Sequence, residues 1–286
     1  MAGQISAIKK RLQTVRSTQK LTNATELVAT VKLQKYNAKT QQNEEYAKNL
    51  RRFILLALKG KKDGPETNPY LIHHEVHNPL YIVITSNSGL CGNYNLEVLK
   101  FVEENISKDV PIFAIGTVGY NWLMKNDYLV VKRYDELEDL QPGILNTMID
   151  NILTLFTKFE MNEIHVVYTR YINTLTHKPT LMRLLPFELD EDIGEDEDLL
   201  MEPSRDEVLT ELIPMYVSSQ IYVAFLEAKT SENAARRNAM NLANKNAEAL
   251  IGELQLNYNK ARQAAITQEM NEIVASVRTE RRKEES

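Results

Sequence analysis

The sequence predicts an α/β fold plus long helices: an antiparallel coiled coil of the N- and C-terminal helices, with a central Rossmann-like α/β domain. Three observations predict it. Glycine and proline are scarce, with 10 and 9 residues in a chain of 286, and this balance favours long helices over an all-β fold. Apolar residues recur with helical spacing at both ends of the chain. The middle instead alternates short β-branched runs with helical ones.

The first helix is predicted from Gln4 to Leu58, within a first domain of residues 1–58. Its apolar positions recur at spacings of three and four, and they are Ile5, Ile8, Leu12, Val15, Leu50, Phe53, Ile54 and Ala57. The stretch between Val15 and Leu50 is more polar, but no proline interrupts it, and at ~1.5 Å per residue the helix would reach roughly 80 Å. Glycines and prolines between Lys59 and Pro69 end it.

The middle of the chain, residues 70–200, is predicted to be the central α/β domain. Strands are expected at 80–85, 110–115, 129–133 and 164–171, and helices at 94–106, 118–126 and 144–159. Strands that alternate with helices indicate a parallel or mixed sheet. Residues 180–187 add a further strand, for which an antiparallel edge position is one option. An acidic loop follows, because eight of the 11 residues 188–198 are acidic.

The C-terminal helix, residues 204–278, carries an apolar stripe dominated by alanine. The stripe runs from Ile213 to Ala265, and Pro214 is a candidate kink near its start. Residues 279–286 form a charged tail. Because a long helix with one apolar stripe needs a partner, the helices at the two ends of the chain are expected to pair in antiparallel orientation.

Charge and composition argue against several functions. The net charge of −5 disfavours general nucleic-acid binding. Residues 4–52 are basic, with 11 Lys or Arg against three acids, but this arm nearly lacks aromatic residues for base stacking. We therefore interpret it as solvated or facing a protein partner, rather than bound to nucleic acid or an anionic membrane. No apolar run approaches the roughly 18 residues of a membrane-spanning helix, so direct membrane insertion is not expected.

The loop from Thr85 to Asn93 follows the first strand and precedes a helix, which is where α/β folds bind phosphates. Neither G-x-G-x-x-G nor G-x-x-x-x-G-K-[ST] occurs in the chain, and Ser86 stands where a nucleophile elbow needs glycine. We interpret the loop as a tight turn or contact loop. Cys91 is interpreted as structural rather than as a nucleophile, because the sequence places no base near it. An α/β nucleotide-binding protein with helical arms is the alternative interpretation.

Two further groups are possible metal ligands. His73, His74 and His77 give the spacing H-E-x-H, one residue short of H-E-x-x-H, and we interpret them as a linker. The acidic run has glycine one position early for a calcium loop, and Met201 falls where the bidentate glutamate belongs. We interpret that run as a solvated loop. No metal, cofactor or catalytic residue is predicted.

The C-terminal helix contains the segment Ser231–Arg236 and, further along, YNKARQAAITQE at residues 258–269. The latter closely resembles the C-terminal signature of F-type ATP synthase gamma subunits. Residues 8–11 and 18–22 are similar to the family's N-terminal helix, and the loop Ser88–Gly92 is similar to the family's S-D-R-G-L-C-G loop. The resemblance covers the chain from end to end in the same order.

The resemblance implies a non-catalytic subunit, the central rotary shaft of an F-type ATP synthase or ATPase. The implied partners are the alpha and beta subunits of the catalytic hexamer, the epsilon subunit and the membrane rotor ring. The implied location is peripheral, at the cytoplasmic face of a bacterial cell membrane. The implied partner contacts are Lys9, Arg11, Gly89, Leu90, Cys91, Gly92, Arg262, Gln263, Thr267 and Glu269.

Three stretches depart from the family pattern. They are Asn23–Val28, Asn87–Ser88 and the residues beyond Val277. They leave open, as an alternative, the shaft of a diverged F-type-like ATPase paralogue. Within the resemblance, the direction of the reaction and the driving ion stay open as well.

Overall fold

In the computed structural model the described residues are 2–59, 68–72, 77–134, 142–158, 160–187, 202 and 204–284. Five helices and five strands lie in these ranges. In chain order they are α1 (Ala2–Lys59), β1 (Pro79–Ile84), α2 (Tyr94–Asn105), β2 (Ile112–Ile115), α3 (Thr117–Lys125), β3 (Val130–Tyr134), α4 (Pro142–Thr157), β4 (Glu163–Tyr171), β5 (His177–Leu185) and α5 (Arg205–Glu284). The predicted helices and strands are all present, and α5 continues as helical backbone beyond Val277.

The five strands form one sheet in the order β3-β2-β1-β4-β5. The first four are parallel, and β5 pairs antiparallel with β4 at the edge. The predicted mixed sheet and its antiparallel edge strand are therefore confirmed. Pro179 lies within β5, and an edge strand tolerates proline because one side of its backbone needs no ladder hydrogen bond.

Side chains alternate between the two faces of the sheet, as the period of two requires. On one face Leu80, Ile82 and Ile84 of β1 join a core shared with α1, α4 and α5. On the other face Val83 packs with residues of α2 and α3, including Val98. Both faces of the sheet are thus covered, which is the usual arrangement of a parallel sheet.

The chain divides into two compact units. One consists of residues 29–236 and holds the sheet, and the other consists of residues 1–28 with residues 237–286. In the second unit, α1 and α5 pair side by side. Arg11 lines a groove together with Leu254, whereas Glu26 bonds to Asn241. Positions later in α1 therefore contact positions earlier in α5. This order confirms the predicted antiparallel coiled coil.

One helix in the described part of the chain, α5, is long and apolar enough to cross a membrane by length and composition. Half of its most apolar 18-residue stretch is buried inside the structure. The core helix of a water-soluble protein passes the same test. Because α5 contributes Ile213, Val217 and Ile221 to the core on the sheet, we interpret it as a core helix.

Candidate partner-contact sites

The strand order creates a crevice at the carboxyl end of the sheet. From β1 the chain proceeds to β2 and β3 on one side, then crosses back to β4 on the other side. The loops that leave β1 and β4 therefore diverge. In doubly wound α/β folds, ligands bind at this topological switch point. The loop Thr85–Asn93, which follows β1, lies at this crevice.

A segment of α5 occupies the crevice. The Ser231 hydroxyl donates to the backbone carbonyl of Thr169, near the end of β4, at 3.1 Å. The Arg236 guanidinium donates to the backbone carbonyls of Ser88 and Gly89, both at 3.3 Å. The α5 segment therefore contacts both sides of the switch point, where other α/β folds bind small molecules.

Three charged side chains of α5 form a buried ionic group behind this loop. Glu232 lies 2.9 Å from the Lys229 ammonium and 2.8 Å from the Arg236 guanidinium. The three side chains are only 6–12% exposed. A buried carboxylate needs such pairing because desolvation of an unpaired ion costs several kcal/mol. The group holds Arg236 in position to bind the loop.

The loop itself is tightly folded. Leu90 and Gly92 both have positive φ, 61° and 60°, and glycine adopts this conformation without steric cost. The Asn95 side chain donates to the Ser86 hydroxyl at 2.7 Å and accepts from the Ser86 backbone N–H at 3.1 Å. Cys91 is buried, at 2% exposed, whereas Leu90 is 66% exposed. The loop thus presents one apolar side chain on a fixed base.

The environment of Cys91 agrees with the structural interpretation. Burial raises the pKa of its thiol, and this outweighs the nearby Arg236 charge, which lowers it. A thiol with a raised pKa carries little of the thiolate that acts as a nucleophile. Cys91 instead packs with Tyr94 and Ala235.

The other predicted contact residues belong to the unit of residues 1–28 and 237–286. Lys9 and Arg11 on α1 are exposed, and so are Arg262, Gln263, Thr267 and Glu269 on α5. Arg11 shares a groove with Lys260 and Ala261 of α5. Gln263 and Thr267 line a second groove, again with Lys260. The structure therefore brings the α1 and α5 sets onto one unit, while Gly89–Gly92 lie in the other unit.

This stretch of α5 also exposes large apolar side chains. Leu256, Ile266, Met270 and Ile273 are each more than half exposed. Exposed large apolar side chains that cluster on one stretch of helix, among polar residues, are typical of a protein-interaction site.

A buried carboxyl group lies elsewhere on α5. The pKa of Glu227 is raised to about 7, first because the side chain is buried and second because of the nearby Glu44 charge on α1. The nearby Arg170 charge and a hydrogen bond from the Tyr168 hydroxyl, both on β4, partly offset this rise in pKa. Burial also raises the pKa of Tyr168 above its ordinary range.

The possible metal ligands give no metal site in the described ranges. His77 bonds to Glu163, whose other carboxyl oxygen lies 3.0 Å from His165. Across the part of the chain that the structure describes, no group of three or more His, Cys, Asp or Glu side chains could hold a metal ion. His73, His74, Met201 and the acidic run lie outside the described residues.

Reasoning from the sequence missed the roles of Lys229, Ser231, Glu232 and Arg236. A signal was present, because three charged residues recur at i, i+3 and i+7 on a helix whose apolar stripe is mostly alanine. Such spacing places them on one face. The sequence alone does not reveal that this face is buried.

Comparisons with known proteins agree with this architecture. A family model described as ATP synthase matches residues 4–279. The chain is 38% identical to the ATP synthase gamma chain of Lachnoclostridium phytofermentans over 283 residues, which cover 94% of this chain and 96% of the relative. It is 35% identical to the ATP synthase gamma chain of Streptococcus uberis over 286 residues, which cover 96% and 98%.

The fold is also similar to a solved structure. A chain in the cryo-EM structure of the Euglena gracilis mitochondrial ATP synthase, OSCP/F1/c-ring in rotational state 3, matches with a TM-score of 0.65. The match covers 97% of this chain and 94% of that one, and its 18% identity supports the fold alone. The match to the family model and the two bacterial relatives together show that the chain belongs to the ATP synthase gamma chain family.

Proposed function

We propose that the chain is the central rotary shaft of an F-type ATP synthase. It couples rotation of the membrane ring to sequential conformational change at the catalytic sites of the alpha/beta hexamer. The observation that carries this function is the exposed mixture of apolar and polar side chains on α5, in a unit built from two paired helices. Such a surface suits a surrounding partner.

The chain is a non-catalytic subunit, and catalysis lies in the beta subunits. It is peripheral to the membrane as part of a membrane-associated complex. The bacterial relatives support a position at the cytoplasmic face of a bacterial cell membrane. Its partners are the alpha and beta subunits, the epsilon subunit and the membrane ring.

An asymmetric shaft acts on a threefold ring through differential contacts. At any moment its different faces meet three chemically identical catalytic sites. Each contact shifts a site only by the difference in its affinity for the open and closed states. Rotation then takes each site through those states in turn. Two paired long helices suit this task because a soft shaft would store torque as twist.

The proposed contacts with the hexamer are the exposed residues Lys9 and Arg11 on α1 and Arg262, Gln263, Thr267 and Glu269 on α5. The loop Gly89–Gly92 is proposed as a separate contact, presented through Leu90. All of these residues except Cys91 are exposed, which supports this assignment. Cys91 contributes through its buried side chain, which supports the loop from behind.

The test is the double substitution R262A/Q263A in the assembled complex. Alanine is the best helix former, so α5 should stay intact. We expect the ATP hydrolysis rate of the complex to fall about tenfold, as for the loss of about 1.4 kcal/mol of coupling, with normal assembly. The control is E253A, an exposed site on the same helix. Unchanged rate and assembly in R262A/Q263A would contradict the proposed contacts.

The alternative of a nucleotide-binding protein is tested on the isolated chain. Because α5 occupies the switch-point crevice, we expect calorimetry to detect no micromolar ATP binding. Micromolar binding that substitutions in Ser86–Gly92 abolish would favour the alternative instead.

A further inference from the structure

Four polar side chains connect α1 and α5 in the unit of residues 1–28 and 237–286. Asn241 donates to one carboxylate oxygen of Glu26 at 3.0 Å, and Asn244 donates to the other at 2.6 Å. The Asn244 side-chain carbonyl accepts from the Thr22 hydroxyl, which also lies within reach of carbonyls of its own helix. Asn244 therefore donates and accepts across the helix pair at once, which defines the orientation of its amide.

The four residues match the geometry of two facing helices. Thr22 and Glu26 are four residues apart on α1, and Asn241 and Asn244 are three apart on α5, so each pair lies on one helix face. Glu26 and Asn244 are half-buried. Hydrogen bonds to a charged acceptor in such a position are stronger than those between neutral groups.

The apolar contacts in this unit specify the axial alignment of the two helices only weakly. Among its described residues, Leu12, Met240 and Leu254 are the buried large apolar side chains. Much of the remaining α5 stripe is alanine, including Ala247, Ala261 and Ala265. Because an alanine knob is small, one alanine resembles the next, and a shift by one helical turn changes such packing little.

We propose that Thr22, Glu26, Asn241 and Asn244 form a polar register clamp that fixes the axial alignment of α1 against α5. A slip of one turn, ~5.4 Å, breaks all of its interhelical bonds. The clamp thereby aligns Lys9 and Arg11 on α1 with the proposed contact residues of α5. This second part of the proposal, the alignment of the contact residues, rests on the proposed function. A polar residue at the seam of a coiled coil is known to specify register in this way.

The hydrogen-bond pattern allows a swap test. E26Q leaves one acceptor oxygen for two asparagine donors, and N244D sets two carboxylates against each other. In E26Q/N244D the new aspartate can accept from the new glutamine amide and from Thr22, so a charge-assisted bond between the helices returns. If the four residues act as a clamp, E26Q and N244D should each break it, and E26Q/N244D should restore it. N246D is the matched control, because it adds the same charge at an exposed α5 site.

Disulfide crosslinking in the assembled complex reports the register. Cysteine replaces Ile8 on α1 and, one at a time, Asn257, Ala261 or Ala264 on α5, all of which line one groove. Mass spectrometry identifies each crosslink, including any with Cys91. We expect one dominant pair in the parent chain and in N246D. In E26Q and N244D its yield should fall at least about threefold, as for the loss of one hydrogen bond, in favour of a position one turn away. The swap should restore it.

An unchanged dominant pair in both single variants, or no recovery in the swap, would overturn the clamp. ATP hydrolysis by the same four variants without added cysteines tests the second part. We expect lower rates in the single variants at normal assembly and recovery in the swap. A shifted register with unchanged rates would contradict the alignment of the contact residues but support the clamp. Failure of the parent chain to assemble with alpha and beta subunits would instead count against the proposed function.

Discussion

Residues 213–236 of α5 are mostly buried, whereas residues 250–274 of the same helix are mostly exposed. The first stretch places Phe225 in the core at 1% exposed and buries even charged residues. The second leaves Ile266 and Met270 at 52% and 61% exposed. One helix thus serves two purposes. Where it is buried, its side chains stabilise the fold of their own chain, and where it is exposed, its apolar side chains are available to a partner.

The largest difference is expected from truncating one large apolar side chain in each stretch. F225A removes a buried ring and should lower the free energy of unfolding by about 4 kcal/mol, through lost burial and the cavity left behind. I266A, the matched change in the exposed stretch, should alter it by less than about 0.5 kcal/mol. Urea unfolding of the isolated chain measures both. Comparable losses in the two variants would show that the exposed stretch also stabilises the isolated fold.

A charged pair of substitutions sharpens the same comparison. E232A leaves the buried Lys229 and Arg236 without their carboxylate and should destabilise the chain by about 3 kcal/mol. E269A removes an exposed carboxylate and should be nearly neutral in the isolated chain. Urea unfolding again gives the measurement. If E232A were as mild as E269A, the ionic group behind the loop would not need its carboxylate.

The smallest effect is a pH dependence confined to the buried stretch. The pKa of Glu227 is raised from 4.5 to about 7, so the folded state holds this proton more tightly than the unfolded state does. Its contribution to stability is therefore greatest below pH 4.5 and is lost as the pH rises through about 7. E227Q should remove this slope. Urea unfolding at several pH values compares it with the parent chain, and parallel profiles would contradict the expectation.

The elements of the fold could be predicted from the sequence because each has a local signature. The periods of 3.6 and two located the helices and strands, and β5 was the least well placed of the strands. Its start was expected at Thr180 but lies at His177. Pro179 accounts for the difference, because proline in a central strand argues against a strand and is tolerated only at an edge.

The middle of α1 shows a second limit. The sequence pattern weakens after Val15, yet Ala29, Leu33, Tyr36 and Ala47 are buried. The buried face continues through small and amphipathic residues that a count of large apolar side chains overlooks. Helical continuity was nevertheless predicted correctly, because nothing in the stretch breaks a helix.

The hydrogen bonds that Arg236 and Asn241 make could not be predicted, because the bonded residues are far apart in sequence. Arg236 bonds to a loop 148 residues earlier, and Asn241 bonds to Glu26 across 215 residues. From the sequence alone, a polar residue on a helix is predicted to face solvent unless its bonding partner is known. The resemblance supplied the proposed contact residues, and their exposure alone does not distinguish contact from solvation.

The segment of α5 in the switch-point crevice behaves as a tethered ligand. Because it belongs to the same chain, its effective concentration at the crevice is on the order of millimolar or higher, and no competitor in solution shares that advantage. A nucleotide would have to displace the hydrogen bonds of Ser231 and Arg236 before it could enter. In other proteins with this kind of fold the switch point binds small molecules, whereas in this chain it binds a segment of the chain's own helix α5.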